Sequence, residues 1–155
     1  MKIVSFSWTT PALLAGAKTV TRRHWSASHA ARFKAGDFVL AYDKSPRAGG
    51  RPVALIRLIQ DAYYEPLAQM PPSDFDAEGF LWFAQNNDAI TEEMFARFGY
   101  GQMVSPHREK MWFEGWKSCG GSMWVVRFAL IGRLFHLPPK KAAGQAAEIA
   151  NTIRQ

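Results

Sequence analysis

From Lys2 to Trp8 the chain alternates, with Val4, Phe6 and Trp8 on one face and Ile3, Ser5 and Ser7 on the other, which predicts a half-buried strand. The pattern then changes. Thr9 or Thr10 can cap a short helix that has Pro11 at its first position. Gly16 predicts the end of that helix, because glycine alone takes the left-handed conformation without a Cβ penalty. Residues 18–23 read as an extended run, and residues 26–32 as a loop or a single helical turn. Gly36-Asp37 reads as a turn feeding a buried apolar strand through Tyr42. A loop with Ser45-Pro46 and Gly49-Gly50 leads to the aliphatic residues 53–64, the second strand of a hairpin.

Beyond residue 66 the period is less regular. Pro71-Pro72-Ser73-Asp74 predicts a turn with Ser73 as N-cap, and residues 91–98 an amphipathic helix capped by Thr91. Glu92 and Glu93 occupy the first turn of that helix, where they favour its dipole and read as structural. Residues 99–121 interleave Tyr100, Trp112, Phe113 and Trp116 with His107, Arg108, Lys110 and Lys117. Two readings stay open for them: a base-stacking, phosphate-contacting surface, or a lid packed on the rest of the fold. Residues 122–134, centred on Trp124 to Ile131, form the strongest strand pattern, and Pro138-Pro139 precede an alanine-containing helical tail with no chemistry assigned to it. Strand, helix, strand, hairpin, helices, strand is the order of an α+β fold, a small mixed β-barrel with peripheral helices. The expected division is a domain over residues 1–137 and a tail over 138–155.

Composition adds limits. At 155 residues, 48% hydrophobic and 21% charged, the chain is sized and composed for one globular domain. No apolar run approaches the roughly 20 residues of a membrane span, and the N-terminus lacks the apolar stretch of a signal peptide. No membrane association and a cytoplasmic location are therefore expected. A lone cysteine, Cys119, excludes an internal disulfide, suits a reducing compartment and is expected as a buried small residue. His24, His29, His107 and His136 are scattered without ligand spacing, so no metal is expected. The net charge of +6 favours anionic partners, nucleic acid above all.

The candidate chemistry lies behind Gly16, where Lys18, Thr19, Thr21, Arg22 and Arg23 follow in close order. Ionisable groups placed where a short helix meets a strand can face a cleft with their backbone held still. The plainer alternative is a polar strand surface. Lys44, Arg47 and Arg51 offer either phosphate contacts or a solvated loop.

The segments Leu14-Ala15-Gly16-x-Lys18-Thr19-x-Thr21-x-Arg23, Phe33-Lys34-x-Gly36-Asp37, Ala77-Glu78-Gly79-Phe80 and the strand Trp124 to Leu130 come in an order that resembles the ASCH domain, a small PUA-like barrel. The resemblance spans roughly residues 3 to 134. Within that family the first segment is similar to the bacterial N4-acetylcytidine amidohydrolases, whose activity rests on a lysine, a threonine and a glutamate. The resemblance implies Lys18, Thr21 and Glu78 as the catalytic residues, with Arg23, Arg22 and Trp8 on the substrate side and no cofactor. Physical chemistry accommodates such a triad. A threonine hydroxyl needs a base to become a nucleophile, and a lysine serves if burial or the neighbouring cations Arg22 and Arg23 lower its pKa. Glu78 would orient the amine or pass protons, while the Arg23 guanidinium and backbone N–H groups near Gly16 would face the oxyanion. Residues 18 and 21 point to opposite faces of a regular strand, so the triad requires a turn or bulge between them. The chain is longer than the small hydrolases, chiefly through residues 99–121 and the tail. The implied partner is a modified nucleoside or RNA. The alternative function is an RNA-binding module, with or without ribonuclease activity, and a reader of modified bases without turnover is a third. Oligomeric state is not legible.

Overall fold

The twelve-residue strand Ser122–Arg133 is the spine of the sheet. In the computed structural model, which describes residues 1–86, 107–134 and 136–155, the strands are β1 (Lys2–Ser5), β2 (Val20–Arg23), β3 (Phe38–Tyr42), β4 (Pro52–Leu58), β5 (Tyr63–Pro66) and β6, the spine itself. The described helices are α1 (Thr10–Leu14), α2 (Ala27–Ala30), α3 (Asp74–Ala77), α4 (Phe80–Asn86), α5 (His107–Ser118) and α6 (Pro139–Arg154). The strand order is β1-β3-β4-β6-β2, with β1 and β3 parallel and the other neighbours antiparallel. On one edge of β6 lie β4 and then β5, and on its other edge lies β2. The result is a curled, mixed half-barrel with peripheral helices, whose seam runs between the two ends of the path, β1 and β2.

Period-two alternation explains the continuous apolar run of β3. Val39 and Ala41 point into the barrel with Val4, Phe6, Leu13, Ile56, Val126 and Phe128. Phe38 and Leu40 point the other way, onto Leu55, Leu134 and the alanines of α6. Ala142, Ala146 and Ala150 recur every four residues, so a single helical stripe is covered. A third cluster of Met70, Phe80 and Phe113, with Trp8, Phe75, Trp112 and Trp116 around it, joins α4 and α5.

Several expectations shift. The expected strand 53–64 divides into β4 and β5, because Asp61 turns aside to accept bonds from the Ala35 N–H at 2.8 Å and Lys34 Nζ at 3.0 Å. The first strand stops at Ser5: Ser7 takes φ +50° and opens a 3-10 turn over Ser7–Thr9. Gly16 is left-handed at φ +78°, as its place after α1 predicts. Ser73 stands at the N-cap of α3 without a side-chain capping bond. Cys119 is exposed rather than buried, since it follows the last turn of α5 and its thiol donates to the Trp116 carbonyl. The helix expected over 91–98 lies outside the described residues. Among the described residues no helix is long and apolar enough to cross a membrane.

Candidate active site

A pocket of about 310 Å³ opens at the seam end where β1 runs into its 3-10 turn. Its polar floor is Lys18, Thr21, Arg22, Arg23 and Glu78, and its apolar wall includes Trp8, Phe80, Trp112, Trp116 and Met123. All six residues singled out in the sequence therefore line one cavity. The extended run expected over residues 18–23 is strand only from Val20. Lys18 precedes β2, with its N–H bonded to the Ala12 carbonyl at 3.2 Å, whereas Thr21 sits within the strand opposite Val126. The strand itself begins at Val20, with Thr19 already accepting from the Phe128 N–H at 2.9 Å; Lys18 lies before it, so the alternation that would separate residues 18 and 21 does not apply.

The turn after α3 docks against this run. Thr19 N–H donates to the Ala77 carbonyl at 2.8 Å, and Lys18 Nζ donates to the Glu78 carbonyl at 2.9 Å and to Glu78 Oε2 at 2.7 Å. Gly79 makes the approach close. Its φ is +94°, and a Cβ there would come within 2.8 Å of the Ala12 Cβ and 3.6 Å of the Lys18 Cβ. A glycine directly after the glutamate is thus required by both backbone and space.

Lys18 and Glu78 are 2% and 4% exposed, so their pair is isolated from solvent. Burial lowers the Lys18 pKa, the Glu78 carboxylate acts against that, and Arg23 and Arg22 push in the same direction as burial. The net direction is down, toward a neutral amine. Arg22 Nη1 donates to the other Glu78 oxygen, Oε1, at 2.7 Å, so the carboxylate is held on both sides. Thr21 is buried at 3% exposure and makes no hydrogen bond through its hydroxyl to a described residue. Lys18 is held by Glu78, not by Thr21.

Arg23 spans the seam. Its Nη2 donates to the Ser5 carbonyl, and its guanidinium lies 5.8 Å from the Phe6 ring centroid. Burial lowers its pKa, with Glu78 opposing. The backbone expectation near Gly16 needs correcting: the N–H groups of Gly16, Ala17, Lys18 and Thr19 all donate to backbone carbonyls, so none is directed at a ligand. Of the two groups expected to face an oxyanion, only the Arg23 guanidinium lines the pocket.

The sequence did not single out the second half of the polar cluster. Arg22 Nη2 also donates to Asp74 Oδ2 and to Glu65 Oε1 at 2.8 Å. Asp74, 1% exposed, takes two parallel bonds from Arg127, Nη1 to Oδ1 at 2.9 Å and Nη2 to Oδ2 at 2.8 Å. Arg127 Nε donates to the Tyr63 hydroxyl at 2.9 Å. Burial pushes the Asp74 carboxyl up, but the bonds from Arg127 and Arg22 outweigh it and hold the carboxyl below its ordinary range. For Arg22 burial acts downward, and Glu78, Asp74 and Glu65 more than compensate. Arg22 Nε is buried without a partner among the described residues, so the carboxylates rather than full hydrogen bonding set its position. Asp74 reads in sequence as a helix-start residue, and Arg127 as an ordinary strand cation; no local signal links them.

Within the aromatic segment, residues 107–118 form α5, which packs over the pocket wall. Trp112 lies 5.0 Å from Trp8, Trp116 packs edge-on against Phe80, and Phe113 is buried. Arg108, counted among the possible phosphate contacts, is 1% exposed and paired with Glu109 at 2.8 Å, so it is withdrawn from solvent.

No family model matches the chain, and no curated protein matches it. Among solved structures, protein EF3133 from Enterococcus faecalis V583, of family-model DUF984, is similar in fold. The alignment covers 94% of this chain and 82% of that one, at 17% identity and a TM-score of 0.47.

Proposed function

We propose that this protein is an amidohydrolase that removes the acyl group from N4-acylated cytosine nucleosides, as its ASCH-like segments imply. One observation carries the reading: Lys18 and Glu78, 60 residues apart, form a solvent-shielded pair at 2.7 Å in the same pocket as Thr21. A lysine buried beside two arginines is disposed to give up its proton, which a base must do. The pocket joins a polar floor to an indole-rich wall, the surroundings that suit a planar base carrying a polar amide.

In this mechanism neutral Lys18 accepts the Thr21 hydroxyl proton as the oxygen attacks the acyl carbonyl carbon. The carbonyl oxygen becomes an oxyanion facing Arg23. Collapse breaks the bond to the cytosine N4, which leaves with the proton from the Lys18 ammonium. Water, deprotonated in turn by Lys18, attacks the acyl-threonine ester; the bond to the Thr21 oxygen breaks, that oxygen takes the proton back from Lys18, and the carboxylic acid leaves. Glu78 holds the Lys18 amine in place, and Arg22 holds Glu78.

Hydrolysis of N4-acetylcytidine, followed by the absorbance change to cytidine, is the test. Wild type should turn over, while Thr21→Ala and Lys18→Ala should each lose on the order of a thousandfold in kcat, with the fold intact. Turnover indifferent to either substitution sinks the mechanism. Base or RNA binding to the same indole wall without turnover would transfer the site to a reader.

A further inference from the structure

Behind the catalytic pair the polar cluster continues as an unbroken chain of charge: Lys18, Glu78, Arg22, Asp74, Arg127, with Tyr63 at its end. The lysine and glutamate account for local pairing, yet three further ions, Arg22, Asp74 and Arg127, are buried or half-buried beyond them. Burying charge is costly unless each ion is paired, so a cluster this extended calls for a reason. Its geometry supplies one. Arg22 is shared between Glu78, at 2.7 Å through Nη1, and Asp74 and Glu65 through Nη2. Asp74 is likewise shared between Arg22 and Arg127.

We propose that Asp74 and Arg127 are positioning residues that set how firmly Arg22 neutralises Glu78, and through Glu78 the proton affinity of Lys18. This rests on Lys18 acting as the base of the proposed hydrolase. The sign follows from the chain of contacts. An anion at 74 draws the Arg22 charge away from Glu78, leaving Glu78 free to stabilise the Lys18 ammonium. A cation at 127 draws Asp74 away from Arg22 and has the opposite effect. The charged groups that bear directly on Lys18 are Glu78, Arg23 and Arg22, and Lys18 loses proton affinity to burial before any of them. Arg23 donates to the Ser5 carbonyl and shares no bond with Asp74 or Arg127, so it keeps its own anchor when 74 or 127 is changed.

Asp74→Asn keeps the side-chain shape and removes the charge; Arg127→Gln removes a cation from a side chain that is 21% exposed and is the gentler change to the fold. The Lys18 titration is read directly by NMR of protein labelled with carbon-13 at lysine Cε, assigned by comparison with Lys18→Ala. In parallel, kcat/KM for N4-acetylcytidine is measured against pH. Asp74→Asn should move the Lys18 titration and the acid limb of kcat/KM to lower pH, and Arg127→Gln should move both to higher pH, each by roughly half to one unit. Arg127→Lys should restore most of the wild-type profile. A merely structural role would reduce activity at every pH without moving either titration, or move both variants the same way, and either result overturns the proposal. If Asp74→Asn fails to fold, the direction of the Arg127→Gln shift decides alone. Opposed NMR shifts in a protein without turnover would sink the hydrolase and leave the charge relay standing; turnover with an unmoved Lys18 titration would do the reverse.

Discussion

Lys18 is the residue in which stability and chemistry conflict. Its Nζ has two acceptors on one residue, the carbonyl and the carboxylate of Glu78, and almost no access to water. Burial lowers its pKa below the ordinary 10.5 despite the carboxylate. The folded state therefore binds the proton less tightly than the unfolded chain, and between the two pKa values the unfolded state carries more protons. Stability then rises with pH across that interval. Below the folded-state pKa the full penalty is present, and above about 10.5 it is gone. Lys18→Met removes the titration, so urea unfolding from neutral to alkaline pH should show wild type gaining on the variant as pH rises. A constant difference between the two across that range would mean that the amine is not strained by burial. Glu78→Gln is the harsher change, because it leaves two cations facing one another without their anion, at a cost of about 3 to 5 kcal/mol.

Among the elements, α5 and α6 both cap the half-barrel yet do different work. On α5, Trp112 and Trp116 complete the pocket wall, while on α6 the alanine stripe seals Phe38, Leu40 and Leu55 away from the site. Trp116→Ala should raise KM about tenfold with a smaller effect on kcat, since it removes ring contact available to ground and transition states alike. Ala146→Leu should instead lower stability by about 1 to 3 kcal/mol through overpacking and leave KM unchanged. If Trp116→Ala lowers kcat and leaves KM alone, α5 positions the reacting groups rather than the base. These two helices also mark what was legible in the sequence. Alternation gave β1, and apolar runs gave β3 and β6, since both patterns depend only on neighbours along the strand. Proline and glycine gave the ends of α1. The role of residues 99–121 was left between lid and nucleic-acid surface, because interleaved aromatic and basic residues read the same either way until, within 107–118, Trp112 and Trp116 are seen against Trp8 and Phe80. Lys18, Thr21 and Glu78, which line one pocket, stand out in sequence through ordered motifs, whereas Asp74 and Arg127 do not: they meet across 53 residues and lie in segments whose local patterns are complete without them.

At the scale of the molecule, the net charge of +6 and the site tell different stories. Lys18, Arg22 and Arg127, the cations of the polar cluster, are matched by Glu78, Asp74 and Glu65. Apart from Arg23, which lines the pocket without a paired carboxylate among the described residues, the excess positive charge sits elsewhere, on exposed residues such as Lys44, Arg47, Arg51, Lys140 and Lys141. A neutral nucleoside entering the pocket displaces few counterions and feels a field that the local carboxylates largely cancel. A polynucleotide held by the exposed cations would displace one counterion for nearly every phosphate contacted. The two functions therefore separate by ionic strength. For hydrolysis of N4-acetylcytidine, kcat/KM should change by less than about twofold between roughly 50 and 200 mM salt, beyond the reach of surface charges screened over about 10 Å. Single-stranded RNA bound through six or more phosphates should weaken by about three-hundredfold or more over the same interval. Neutralising Lys44, Arg47 and Arg51 together should flatten that dependence without touching nucleoside turnover. Nucleoside turnover that itself falls steeply with salt would place the surface cations in the substrate's path and make a phosphorylated or polymeric substrate the one this pocket serves.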